Sequence, residues 1–328
     1  MEIDFVIPWV DGADERWRRE MESYRPGGEM SDGAESRYRD WDNLRYWFRG
    51  VEAFAPWVRR VHFVTWGHLP EWLNVNHPGL HIVRHEDFIP REYLPVFSSH
   101  PIELAMHRIE GLADRFVYFN DDTFLLRPTS SGRFFRRGLP CDTARLGIIA
   151  PSTIAHIILN DVALINSRHD KRRAMRSHLC GWFNLRYAPS DMLKTLTLMP
   201  WSRFSGFRDS HMPQPFLRST FERLWEQERA TLEATMRRRF RNVLDCNQYL
   251  MRYEQLATGC FAPVPGRDCR LETLSEQSVE RIASHIATQR YAMIAMNDSD
   301  AIEDFDGVKR QLNNAFEHIL PHRSRYEL

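Results

Sequence analysis

Within the first 120 residues, four short apolar runs at 3–7, 61–65, 81–85 and 116–119 alternate with segments of helical periodicity. This alternation is the strongest constraint on the fold. Short strands separated by helix-length segments pair in parallel through crossovers, so helices must cover both faces of the sheet. Leu44, Trp47, Phe48, Val51 and Phe54 recur at helical spacing and stop before Pro56, and residues 102–112 read as another helix. We expect an α/β chain with a doubly wound, mostly parallel sheet and helical additions in the second half. Such sheets bind ligands beyond the carboxyl ends of their strands. That directs attention to Asp11-Gly12, Thr65-Trp66-Gly67 and Asn120-Asp121-Asp122.

Farther along, residues 25–36 are rich in Gly, Ser and Pro and read as a loop. The stretch from 128 to 213 has little periodicity apart from a helix over 171–182. A long helix is expected from Pro215, burying Phe221, Leu224, Trp225, Leu232 and Met236. A helix over 275–290, a strand over 291–296 and a final helix carrying Phe305, Val308, Leu312, Phe316 and Ile319 complete the chain. We divide it into 1–127, which ends with the acidic motif, and 128–328, whose strand and helix over 291–320 are expected to return to the same sheet.

Composition excludes several classes. The 44 basic and 44 acidic residues cancel, which argues against a general polyanion binder, so no nucleic-acid partner is expected. Only Lys171, Lys194 and Lys309 are lysines, leaving 41 arginines; codon choice in a GC-rich genome is the simplest explanation. Five scattered cysteines without a CxxC suit a reducing compartment better than a disulfide framework or a zinc site. The N-terminus has no signal-peptide pattern, and the apolar stretch 146–165 is interrupted by Pro151, His156, Asn160 and Asp161. A cytoplasmic protein with at most peripheral membrane contact is expected.

Some residues could carry chemistry. Paired carboxylates at a strand end suit Mg²⁺ or Mn²⁺ bridging a diphosphate, because these cations prefer hard oxygen ligands; the same Asn-Asp-Asp also suits an ordinary turn. Glu103 precedes Asp122 by 19 residues and lies either near that end of the sheet or on a solvated helix face. His211 could accept a proton from an attacking hydroxyl. Arg241 closes an arginine-rich run, 237–241, that could clamp phosphate or simply face a helix C-terminus. There is no Walker loop, GxGxxG, GxSxG or HExxH.

Taken in order, these motifs resemble the Stealth family of hexose-1-phosphoryltransferases, which includes bacterial capsular-polysaccharide phosphotransferases and the catalytic subunit of animal lysosomal-enzyme GlcNAc-1-phosphotransferase. Four blocks carry the resemblance. The first is Ile3 to Gly12. The second runs from Arg39-Asp40 and Leu44-Arg45-Tyr46 through Leu94-Pro95-Val96-Phe97-Ser98-Ser99 and Ile102-Glu103 to Asn120-Asp121-Asp122. The third spans His211-Met212-Pro213 to Phe240-Arg241 and Asp245, and the fourth is Asn297-Asp298-Ser299. Pro8, Asn43 and Ala295 depart from the usual Thr, acidic residue and Cys; Asn43 removes one possible acidic ligand.

The resemblance implies a nucleotide-sugar-transferase-like fold, with 1–127 binding the nucleotide sugar and 128–328 serving acceptor and catalysis. It implies transfer of a sugar 1-phosphate from a UDP-GlcNAc-like donor to a glycan hydroxyl, with release of nucleoside monophosphate. In that scheme Asp121 and Asp122 hold a divalent cation, Mg²⁺ or Mn²⁺. Arg241 offsets phosphate charge, and His211 is the favoured base. Glu103 is an active-site acid that orients His211, binds metal or acts as base itself. Asp11 and Gly12 contact the nucleoside, and Arg45, Asn120, Asn297 and Asp298 are further substrate-binding candidates. Two rivals remain: a metal-dependent glycosyltransferase releasing UDP, and a non-catalytic carbohydrate-binding subunit. The oligomeric state is left open.

Overall fold

A computed structural model describes residues 1–25 and 39–328, so the loop expected at 25–36 lies, apart from Arg25, outside the described residues. The principal sheet begins with β1 (Asp4–Trp9), β2 (Val61–Thr65) and β3 (Leu80–Arg84). All three are parallel, and β4 (Arg115–Tyr118) joins β1 on its other side, also parallel. Between them lie α1 (Glu15–Tyr24), whose first turn is capped by the Asp14 carboxylate, and α2 (Leu44–Phe54), which buries the apolar stripe seen in the sequence. The short α3 (His85–Phe88) and α4 (Ser99–Ala105) follow β3. The helix expected over 102–112 is therefore shorter and earlier, and ends in a 3₁₀ turn at Met106–Arg108.

Side chains of one strand alternate between the two faces of a sheet. Val6, Val64, Phe116 and Tyr118 accordingly join one hydrophobic core, while Phe5, Ile7, Phe63, Val117 and Phe119 join the other. Each core takes residues from both sides of residue 127.

After β4 the chain turns sharply at Asn120-Asp121-Asp122 into β5 (Thr123–Leu125), which leaves the principal sheet. A small sheet is made by β6 (Phe135–Arg136), β7 (Leu139–Asp142) and the later β9 (Ala262–Pro263). The stretch that lacked periodicity holds α5 (Ala155–Arg168), α6 (Lys171–Ser177), α7 (Leu179–Trp182) and α8 (Pro189–Leu198). The single helix expected over 171–182 is broken at His178.

Pro215 does not begin a helix. It lies in β8 (Gln214–Leu217), which pairs antiparallel with β4 at the edge of the principal sheet, where a residue without an N–H is tolerated. The helix follows as two pieces, α9 (Arg218–Gln227) and α10 (Arg229–Met236), separated at Glu228, whose carboxylate is held by Arg168. Next comes α11 (Gln248–Ala257), buried on every side.

The C-terminal strand also corrects the sequence reading. It is β11 (Met293–Asn297), and it joins β10 (Cys269–Thr273) and β5 in a second sheet instead of the principal one. With β8 already beside β4, the principal sheet has no free edge there. The helices α12 (Glu276–Ala287) and α13 (Phe305–Ile319) complete the chain, and the last one matches its sequence stripe. No described helix is long and apolar enough to cross a membrane.

Candidate active site

The acidic turn is the corner between the two sheets, and strand register brings the other candidates to it. Tyr118 pairs with Gln214, so continuing the antiparallel register of β4 and β8 sets His211 level with Asp121. On the other side Ala295 pairs with Thr123, and Met296 donates its N–H to the Asp122 carbonyl, so Asn297 also arrives level with Asp121. Because β1 runs parallel to β4 with Val6 beside Tyr118, its end at Trp9 reaches the same corner.

His211 Nε2 lies 3.0 Å from Asp122 Oδ2 and 3.3 Å from Asn120 Nδ2. Asp122 Oδ1 accepts from the Thr123 hydroxyl, so both oxygens of this carboxylate are engaged. His211 has a left-handed backbone with φ 47°, a conformation costing about 1 kcal/mol or more outside glycine. Burial opposes charge on the ring, but Asp122, Asp121 and Glu103 outweigh it and raise the histidine's pKa above its ordinary value. Asp121 meets solvent at the corner yet is crowded by protein on its other sides. That crowding, followed by the charge of Asp122, pushes its carboxyl up to about 7.

Glu103 is buried rather than solvated. It accepts from the Tyr118 hydroxyl at 3.2 Å and from the backbone N–H of Gln248, also at 3.2 Å. Burial and the nearby Glu103 raise the Tyr118 pKa well above its usual value, and Arg241 acts against them. Arg241 is therefore within electrostatic reach of this buried pair, although its nearest side-chain partner is Ser99 Oγ at 3.4 Å. Its segment is fixed from two sides. Phe97 stacks on Phe240 and donates its N–H to the Arg239 carbonyl, while buried Asp245 accepts from His100, Arg238 and the Asn242 N–H.

Beside the corner lies a narrow pocket whose lining includes Trp9, Asp11, Gly12, Arg39, Trp41 and Asp121. The Asp11 N–H donates to His68 Nε2, and Gly12 gives its carbonyl to Arg18 Nε. Asp298 does not line the pocket but holds its wall, accepting from Trp41 Nε1 at 3.1 Å and facing Arg39 at 3.6 Å. Arg45 is occupied elsewhere, pairing with Asp42 at 2.8 Å and lying over the Trp72 ring. The sequence assigned no role to Arg39 or Trp41. Arg39 stood inside a matched block, but only the fold brings it into the lining of the same pocket as Asp121.

Among the described residues, no group of three or more His, Cys, Asp or Glu side chains converges as a ready metal cage. Asp121 and Asp122 are nevertheless adjacent hard oxygen donors, and burial, followed by the nearness of Asp122, holds the Asp121 carboxyl up. This donor set would suit a Mg²⁺-type cation, which prefers hard oxygen ligands.

Residues 1–29 match Stealth protein CR1, conserved region 1, and residues 37–141 match Stealth protein CR2, conserved region 2. The chain is 36% identical to capsular polysaccharide phosphotransferase WcwK of Streptococcus pneumoniae over 99% of this chain and 98% of that one. It is also 36% identical to exopolysaccharide phosphotransferase cps2G of Lactiplantibacillus plantarum, over 99% of this chain and 96% of its relative. Among solved structures, galactosyltransferase LgtC in complex with donor and acceptor sugar analogs aligns over 95% of each chain at 10% identity. Its TM-score of 0.39 is too low to define the fold.

Proposed function

The chain belongs to the Stealth family, and on that premise we propose that it transfers a sugar 1-phosphate from a nucleotide-diphosphate sugar to a hydroxyl of a glycan acceptor during capsular or other cell-surface polysaccharide synthesis. The acceptor oxygen attacks the phosphorus that bears the sugar. The new O–P bond forms, the P–O bond to the nucleoside monophosphate breaks, and the hydroxyl proton passes to His211. The anomeric C–O bond stays intact.

The observation that carries this reading is the His211–Asp122 pair beside Asp121. Asp122 holds Nε2, and Nδ1 makes no hydrogen bond among the described residues, which leaves that nitrogen for the acceptor hydroxyl. Asp121, whose carboxyl accepts from no other side chain among the described residues, is the better placed of the two acids to hold Mg²⁺ or Mn²⁺, with Asp122 mainly orienting the histidine. A bound cation would neutralise charge on the donor diphosphate. Arg241 offsets phosphate charge, Glu103 supports the imidazolium formed when His211 takes the proton, and the pocket of Trp9, Asp11, Gly12, Arg39 and Trp41 receives the nucleoside end. Asn120 and Asn297 flank the corner as substrate contacts. A UDP-GlcNAc-like hexose donor is part of the proposal. So is the cytoplasm as the compartment, which suits five free cysteines.

Chromatography of the released nucleotide tests it. Nucleoside monophosphate, with a phosphodiester in the product by mass, is expected. Nucleoside diphosphate would overturn the reading in favour of a glycosyltransferase, and donor binding without turnover across a donor panel would favour a carbohydrate-binding subunit.

A further inference from the structure

The segment 171–203 carries seven basic residues and one acidic residue in a chain whose charges cancel only when this segment is counted in. The acid, Asp191, is buried and so is Lys171, leaving Arg172, Arg173, Arg176, Arg186, Lys194 and Arg203 in solvent. The same segment leaves large apolar side chains exposed: Leu185 is 97% exposed, Leu193 61%, Trp201 58% and Leu196 56%.

The helix α8 is turned the opposite way from an ordinary surface helix. Its inward positions are Asp191, Thr195 and Leu198. Asp191 accepts from Arg145 and Arg208, and the Thr195 hydroxyl accepts the Leu146 N–H. Leu193 and Leu196 therefore point outward because the polar residues are committed inside. Lys171 binds the end of this helix to α6, donating from Nζ to the carbonyls of Leu198 at 2.6 Å and Trp201 at 2.9 Å. Lys171 is the first residue of α6, so the start of the helix that carries Arg172, Arg173 and Arg176 is fixed to the C-terminal end of α8. Leaving such a patch in water forfeits burial energy.

We infer that residues 171–203 form a docking face for an anionic lipid surface. Leucines and a tryptophan can enter the boundary between headgroups and acyl chains, while arginines and a lysine that form no ion pair among the described residues meet lipid phosphates; the alternation of the two types along the segment suits this better than a purely apolar protein partner. Arg208, which grips α8 through Asp191, is three residues before His211. Docking would thus hold the corner of the two sheets at a set height above the surface. The inference does not depend on the reaction proposed above.

Vesicle sedimentation of the full chain tests it, comparing phosphatidylcholine alone with phosphatidylcholine containing phosphatidylglycerol. Stronger binding to the anionic vesicles is expected, weakened by salt. Leu193→Ser with Leu196→Ser, and separately Arg172→Gln with Arg173→Gln and Arg176→Gln, should each lower partitioning about tenfold or more while leaving thermal unfolding unchanged. Equal binding to both vesicle types, or partitioning unaffected by both sets of substitutions, would overturn the proposal. So would a dimer, seen by light scattering, that the leucine substitutions dissociate while the native chain ignores vesicles; the face would then be a contact between copies.

Discussion

Arg252 donates from Nη1 to Asp209 Oδ1 at 2.7 Å, and its Nε reaches Asp142 Oδ2 at the same distance. One buried guanidinium on α11 thereby ties β7 to the chain two residues before His211, and Tyr253 adds a hydroxyl to the other Asp209 oxygen. This latch explains how the left-handed backbone at His211 is held. Arg252→Gln leaves two inward carboxylates without their partner, so unfolding in urea should show a loss of about 3 kcal/mol or more. Asp209→Asn, which leaves Arg252 paired with Asp142, should cost less. An unchanged urea midpoint for Arg252→Gln would contradict the latch.

The raised pKa of His211 sets a pH dependence. A base must be unprotonated to act, so kcat/KM should rise with pH along a limb lying above the ordinary histidine value of about 6.5. Asp122→Asn removes the strongest support for the imidazolium, and the limb should move to lower pH while kcat falls by about 10²-fold or more. For stability the sign is opposite to that of activity. The charged ring stabilises the fold fully below its unfolded pKa, and this contribution disappears as pH rises through the higher folded value. A pH–rate profile that keeps its limb in Asp122→Asn would remove His211 from the base role.

Asp121 also loses stability as pH rises, but here because the ionised form is the disfavoured one. Its folded carboxyl titrates near 7, so its ionisation destabilises the fold progressively as pH rises from the ordinary carboxylate range toward that value. Asp121→Asn should therefore melt at or above the native temperature at pH 8 while losing turnover. Added Mg²⁺ should raise the melting temperature of the native chain and not that of the variant. An equal Mg²⁺ shift in both would place the cation elsewhere.

Glu103 separates charge from packing. Glu103→Gln keeps an acceptor for Tyr118 or Gln248 but removes the negative charge that supports a protonated His211, so the fold should persist while kcat falls about 10²-fold. Glu103→Ala strands both buried donors and should in addition cost about 1–3 kcal/mol for each. Near-native turnover in Glu103→Gln would make the residue a packing element only.

Elements whose apolar pattern is local were legible in the sequence. The stripes of α2 and α13 follow the period of their own helix, and β1 and β2, buried on both faces, show as unbroken apolar runs, so neighbouring residues suffice to reveal them. By contrast, α11 is enclosed all round with Arg252, Glu254 and Gln255 inside, and a helix whose buried polar groups are satisfied from other segments shows no apolar stripe. Pro215 misled for a similar reason. Whether a proline starts a helix or sits on a sheet edge depends on which strand lies beside it.

Local chemistry alone therefore determined that this chain would form a layered α/β fold with an acidic turn at a strand end. Only tertiary structure decided that the turn is a corner between two sheets, that His211 and Asn297 reach it by register from opposite sides, and that Glu103 is buried instead of solvated. The physical reason is range. Periodicity and turn preference act over a few residues, whereas the His211–Asp122 pair spans 89 positions and exists only once β8 has taken the edge beside β4.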